Sequence, residues 1–269
     1  MNETAIAWTD YTWNPASGCE KVSPGCKFCY AETIAEKFRG KAFPNGFELT
    51  LRPHKLGEPL KYKEPSRIFV NSMSDLFWEP IGDDYRDRVL EVIEATPQHQ
   101  YQVLTKRPEE LLRYSLRREL PPNFWAGVTV ESTHTMSRTD LLRAVKAEIR
   151  FLSIEPQLDD LGPSLDLSRI HWVIAGGESG LHLRDAALRS RRGMAEPGTG
   201  ADDGRGWRPI EERIDWARHI RDKCIEGEVA FFFKQWGGLN PKSGGRILDG
   251  RTWDEFPRTA AVARIEEYA

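Results

Sequence analysis

The strongest constraint on the fold of this chain is an alternation. Short apolar runs ending in a polar cluster recur, and most are followed by a segment with helical spacing. RIFVNSMSD (67–75), YQVLTKRP (101–108), FWAGVTVES (124–132), IRFLSIEPQ (149–157), IHWVIAGGESG (170–180) and EVAFFFKQWGG (228–238) read as strands with polar exits. YRDRVLEVIEA (85–95), PEELLRYSLRREL (108–120), SRTDLLRAVKA (137–147) and IEERIDWARHIRDKC (210–224) read as helices. WTDYTWNPA (8–16) adds a weaker first strand. The runs are apolar throughout rather than alternating, as in sheets covered on both faces. Such a series predicts α/β architecture with about six to eight parallel strands, in a partial or complete (β/α) TIM-type barrel. A barrel domain of ~250 residues would use nearly all of the 269 present, so one domain over 1–269 is expected.

In parallel α/β folds the C-terminal strand ends share one face, where active sites form. The strand exits here carry Ser72 and Asp75, Thr105 and Lys106, Glu131 and Ser132, Glu155, Glu178 and Ser179, and Lys234 and Gln235. The plain alternative is that loops are polar anyway. Charged residues are 29% and the formal charge is −3, which gives no general basic affinity for nucleic acid. No apolar stretch approaches the ~20 residues of a membrane span, and the N-terminal residues carry no secretory pattern. A cytoplasmic location, with no membrane association, is therefore expected.

SGCEKVSPGCKFCYAE (17–32) holds three of the four cysteines, Cys19, Cys26 and Cys29, spaced C-x6-C-x2-C. In a reducing compartment such clustering points to metal or redox chemistry rather than disulfides. Three thiolates suit three irons of a 4Fe-4S cluster or a soft metal, whereas structural zinc wants four protein ligands and no fourth lies nearby. Three ligands leave an open coordination position. Cys224 falls on an apolar helical stripe with Ile210, Ile214 and Ala217 and reads as a small buried hydrophobe, although its approach to the cluster is left open. No H-E-x-x-H, nucleophile elbow or complete G-x-G-x-x-G is present.

The ending CKFC, with aromatic Phe28 before the last cysteine, resembles the cluster loop of radical S-adenosylmethionine enzymes, whose usual spacing is C-x3-C-x2-C. The first gap here is six rather than three. WTDYTWNPASGCEKVSPGCKFCYAE, FVNSMSDLF, YQVLTKRP, FWAGVTVES, RFLSIEP, WVIAGGESG and FFFKQWGG together resemble the phage Gp37/Gp68 group, also called domain-of-unknown-function 5131 or three-Cys-motif proteins, which has been grouped with the radical enzymes. The resemblance implies a 4Fe-4S cluster held by Cys19, Cys26 and Cys29, S-adenosylmethionine as second cofactor, and a reductant such as flavodoxin or ferredoxin. It implies a 5′-deoxyadenosyl radical acting on a substrate it does not name. Some members are paired with a methyltransferase-like partner protein, which extends the expectation to such a partner and, by association, to a nucleic-acid substrate.

Within that frame Phe28 is read as packing beside the adenine. Asn71, Ser72, Ser74 and Asp75 are read as ligands for the amino end of the cofactor, and Glu131 and Ser132 as ribose ligands. Each reading stands against local turn bonding. Glu178, in AGGESG, is a further binding candidate, although glycine-rich turns also serve tight backbone geometry alone. Residues 181–207, with Arg184, Arg189, Arg191, Arg192 and Arg205, read as a flexible insertion that either stays solvated or contacts substrate. The alternative function is a non-catalytic iron–sulfur or zinc-binding module that recognises nucleic acid or protein.

Overall fold

The apolar runs form strands because their β-branched and aromatic side chains fit a pleated, covered surface. The computed structural model describes residues 1–198, 206–258 and 265. Its main sheet contains β1 (Asn2–Glu3), β2 (Tyr11–Trp13), β3 (Arg67–Val70), β4 (Gln100–Thr105), β5 (Phe124–Thr129), β6 (Arg150–Ile154), β7 (Trp172–Gly176) and β8 (Ala230–Gln235). They are ordered in space as in sequence, from β1 to β8. The two-residue β1 is antiparallel to β2, and the β2–β3, β3–β4, β4–β5, β6–β7 and β7–β8 pairings are parallel. The architecture is thus a partial, open (β/α) barrel of eight strands.

The chain divides into two compact units, residues 1–128, 140–150 and 258–269, and residues 129–139 and 151–257. In the first, Ile68, Val70, Tyr101, Val103, Phe124 and Ala126 are almost completely buried. Helix α1 (Tyr30–Lys37) follows the cysteine loop. Helix α2 (Asp83–Glu94) opens on Asp83 and Asp84, favourable at the positive end of the helix dipole, and buries Tyr85, Val89, Leu90 and Ile93. Helix α3 (Pro108–Arg117) begins on a proline whose missing N–H costs nothing in the first turn, and carries Glu109 and Glu110 there. The polar stretch 40–65 is ordered: Thr50–Leu51 pairs with Ala16–Ser17, and Trp13 Nε1 donates to the Lys55 carbonyl at 2.8 Å.

Helix α4 (Ser137–Ala144) follows β5 in sequence. In the second unit, α5 (Ala186–Arg192) and a ribbon of Ala195–Pro197 with Trp207–Pro209 occupy much of the expected insertion. Its residues 199–205, including Arg205, lie outside the described residues. Helix α6 (Glu211–Glu226) buries Ala217, Ile220 and Cys224, so Cys224 sits on the apolar stripe read from its spacing. After β8 the described residues up to 258 fold back along the strand. The Phe233 N–H donates to the Trp253 carbonyl at 2.9 Å, and the Glu255 N–H to the Phe231 carbonyl at 3.1 Å.

Candidate cofactor site

In the first unit, the cysteine loop leaves the C-terminal end of β2 and is pinned to the exit of β3. The Asn71 N–H donates to the Trp13 carbonyl at 2.8 Å, and the Gly18 N–H to the Met73 carbonyl at 2.9 Å. Asn14 Oδ1 accepts from the Met73 N–H at 3.0 Å and from Ser72 Oγ at 3.2 Å, and Asn14 Nδ2 donates to the same Oγ at 3.2 Å. Ser74 Oγ donates to the Gly18 carbonyl at 2.6 Å. Gly18 has φ +88, and a Cβ there would lie 2.2 Å from the Glu48 carbonyl oxygen. A glycine is therefore required where the loop passes between the 71–74 and 47–48 segments.

Beyond Gly18 the three thiols are free and partly exposed. Cys26 ends a 3-10 turn opened by Pro24, with its sulfur 3.8 Å from Ser23 Oγ. Cys29 precedes the first residue of α1 and packs against Ala31, Ala35 and Met73. Tyr30 Oη donates to the Ser72 carbonyl at 2.7 Å while the ring stays half exposed, so this residue caps the loop rather than entering the core. Phe28 is partly exposed and has the Lys27 ammonium 5.4 Å from its ring centre. Burial pushes the Cys19 thiol up to about 11; the nearby Asp75 charge adds to this and Arg107 opposes it.

Asp75 organises this end of the unit. Its Oδ1 accepts from the Phe77 N–H at 3.0 Å and from Thr105 Oγ1 at 2.7 Å, and its Oδ2 from the Lys106 N–H at 2.9 Å. Arg107 Nη1 lies 3.5 Å from Oδ2. The carboxylate thus ties the exits of β3 and β4 together and has its oxygens engaged. Asn71 has φ +58; its Oδ1 accepts from the Ala16 N–H at 3.2 Å, and its Nδ2 is buried without a partner among the described residues. An amide nitrogen donates only, so the side chain offers a donor, not the acceptor expected for an ammonium.

In the second unit the strand exits are also internally paired. Glu131 is fully buried and bonded at 2.9 Å to Arg138 Nη1, which also donates to the Thr129 carbonyl. The Ser132 N–H donates to Thr135 Oγ1 at 3.2 Å, turning the chain toward α4. Glu155 and Lys234 form an ion pair at 3.0 Å. Glu178 accepts a bidentate pair from Arg192, at 2.6 and 2.7 Å, and lies 3.2 Å from His182 Nε2. The glycines beside it have a backbone role: a Cβ on Gly177 would stand 2.1 Å from the Trp236 carbonyl oxygen, and one on Gly237, at φ +84, the same distance from that of Glu178.

Among the sequence-predicted residues, Cys19, Cys26, Cys29, Phe28, Asn71, Ser72, Ser74 and Asp75 belong to the first unit, and Glu131, Ser132 and Glu178 to the second. Asn14 and the Arg192 partner of Glu178 were missed; no spacing signal links them to their partners. Arg107 lies in the YQVLTKRP run, and nothing in its spacing ties it to Cys19.

The donor chemistry of the loop fits an iron–sulfur cluster: three soft thiols from one segment, none in a disulfide. Among the described residues, however, no group of three His, Cys, Asp or Glu side chains is already drawn together as a metal site. The chemistry is present without a closed ligand set.

A partial (β/α) barrel with a three-thiol loop after its first parallel strand is the class these features define. The chain belongs to the family described as Protein of unknown function (DUF5131), which it matches over residues 3–195 and 198–257. No curated protein matches the sequence. The fold is similar to that of spore photoproduct lyase complexed with dinucleoside spore photoproduct, at TM-score 0.54 and 13% identity over 86% of this chain and 78% of that one. A mutant of that lyase with bound AdoMet and dinucleoside spore photoproduct gives TM-score 0.52 at 12% identity, over 84% of this chain and 76% of that one. Among the described residues no helix is long and apolar enough to cross a membrane.

Proposed function

We propose that this protein is a radical S-adenosylmethionine enzyme whose 4Fe-4S cluster is held by Cys19, Cys26 and Cys29. The observation that carries the reading is the three-thiol loop leaving the C-terminal end of β2, pinned there by Asn14, Gly18 and the exit of β3. The likeness of the fold to a lyase whose structure holds AdoMet adds support at the level of architecture. When bound, the two cofactors supply a 5′-deoxyadenosyl radical for hydrogen abstraction.

The protein's own part is binding and orientation. Ser74 Oγ donates to Gly18 and keeps its lone pairs for an ammonium, while Asn71 Nδ2 offers a donor to a carboxylate. Ser72, held by Asn14, supports both from behind, and Phe28 supplies an apolar face for the adenine. Asp75 holds the strand exits rather than the cofactor itself. In the second unit the carboxylates of Glu131 and Glu178 are taken up by Arg138 and Arg192.

The substrate proposed is a nucleic acid, by analogy with the dinucleoside held by the lyase. A flavodoxin- or ferredoxin-type reductant, a methyltransferase-like partner and a cytoplasmic setting complete the proposal, and kinship with the phage Gp37/Gp68 group belongs to it. The test is a cysteine series reconstituted anaerobically with iron and sulfide. Cys19→Ala, Cys26→Ala and Cys29→Ala should each lose most of the iron, whereas Cys224→Ala keeps it at a packing cost of about 1 kcal/mol. Retention of iron by all three loop variants, or stable zinc in place of a cluster, would favour the non-catalytic module.

A further inference from the structure

Arg107 is the side chain around the cysteine loop that the proposed chemistry has not yet used. It is buried, and its Nη1 donates to the Cys19 sulfur at 3.6 Å while its Nη2 donates to the Glu20 carbonyl at 3.4 Å. The guanidinium is fixed from the other side. It lies 3.5 Å from Asp75 and 3.3 Å from Glu79, with its central carbon 5.7 Å from the centre of the Trp78 ring. Asp75 is itself held by Phe77, Thr105 and Lys106, so it offers the arginine a fixed counter-charge. A permanent cation is thereby aimed at one of the three thiols, 88 residues away in sequence.

The geometry points to Arg107 as a positioning residue that holds the Cys19 sulfur in place as a cluster ligand and stabilises the reduced state of the bound cluster. This rests on the reading of the loop as a cluster site. The physical reason is charge. A hydrogen bond from a guanidinium strengthens as its sulfur acceptor gains negative charge, and hydrogen bonds to the sulfurs are among the factors that set iron–sulfur potentials. In the step concerned, one electron passes from a low-potential one-electron donor, dithionite in the test, to the oxidised cluster. No bond is made or broken and no proton is needed. The neighbouring carboxylates of Asp75 and Glu79 oppose the effect. Arg107 touches the sulfur directly and is oriented by both.

The test compares wild type, Arg107→Gln and Arg107→Lys, each reconstituted with iron and sulfide under anaerobic conditions. Cluster reduction is followed by optical and electron paramagnetic resonance spectra at fixed solution potential. Arg107→Gln should keep its fold, since Asp75 retains three other donors. At the poise that half-reduces the wild type, its reduced-to-oxidised ratio should fall about tenfold, equivalent to ~59 mV for one electron. Arg107→Lys, which keeps charge but loses the fork, should fall between the two. Loss of iron from Arg107→Gln with retention by Arg107→Lys would also support the assignment. An unchanged ratio in Arg107→Gln at full iron content overturns it while leaving the radical-enzyme reading intact. Unfolding of both variants, seen in their circular dichroism, overturns it in favour of a purely structural arginine. Failure of the wild type itself to take up a cluster removes both readings together.

Discussion

Replacing Asp75 by Asn separates a scaffold from a ligand. In the protein the carboxylate is nearly buried and accepts three hydrogen bonds, from Phe77, Thr105 and Lys106, beside the Arg107 guanidinium. Asn can keep the acceptor facing Phe77 and Thr105, but its amide nitrogen then meets the Lys106 N–H, donor against donor. The charge opposite Arg107 also disappears, leaving only the more exposed Glu79 at 3.3 Å. Breaking a buried ion pair from one side costs about 3–5 kcal/mol, and the lost acceptor falls within that range. Glu79 places the expected loss near the lower end, about 3 kcal/mol. Urea denaturation of the metal-free protein, followed by tryptophan fluorescence, measures this with no cofactor present. A loss below about 1 kcal/mol, coupled to abolished S-adenosylmethionine binding in the reconstituted variant, would refute the reasoning and return Asp75 to the ligand set.

Arg192→Met should leave the buried Glu178 beside His182 without its bidentate partner, costing about 3 kcal/mol and exposing α5 to trypsin; cleavage near residues 186–192 at the wild-type rate would argue against α5 being anchored through this pair. Acid should act through Asp83, whose carboxyl is held at about 2 by hydrogen bonds from Arg113 and Arg86, against an ordinary 3.8. Because the folded-state value lies below the unfolded one, its stabilisation is complete above pH 3.8 and is lost as pH falls through about 2. Asp83→Asn should be less stable at neutral pH and lose less across that window in an acid titration of circular dichroism; parallel curves would contradict the assignment.

The sheet was legible because parallel strands covered on both faces leave continuous apolar runs, and Phe231, Phe232 and Phe233 are nearly or completely buried in the last of them. The first strand was harder. Of its residues Tyr11–Trp13 joins the main sheet, and the two-residue β1 beside it carries no apolar signal, since both of its residues are exposed. The cysteine loop was legible as chemistry, and Cys224 as core, because both depend on local spacing. What held the loop was not. Asn14 meets Ser72 across 58 residues and Arg107 meets Cys19 across 88, and neither pairing leaves a periodicity. The glycines of GGESG could be read either for ligand approach or for the backbone. The 2.1 Å separation between a Gly177 Cβ and the Trp236 carbonyl oxygen shows that the backbone requires glycine there. The charged insertion was read from composition as flexible. In the described part Arg192 is spent on Glu178, and Arg189 and Arg191 donate to nearby backbone carbonyls.

The central claim is that the three-thiol loop supports radical chemistry, and one measurement addresses it without a known substrate. Anaerobically reconstituted protein is mixed with S-adenosylmethionine and dithionite, and nucleoside products are quantified alongside iron and sulfide. A radical enzyme should hold about four irons and four sulfides per chain and form 5′-deoxyadenosine in a reaction that depends on reductant and is lost in Cys19→Ala. A fully loaded cluster that leaves S-adenosylmethionine intact, or a chain that takes zinc and refuses iron, would contradict it.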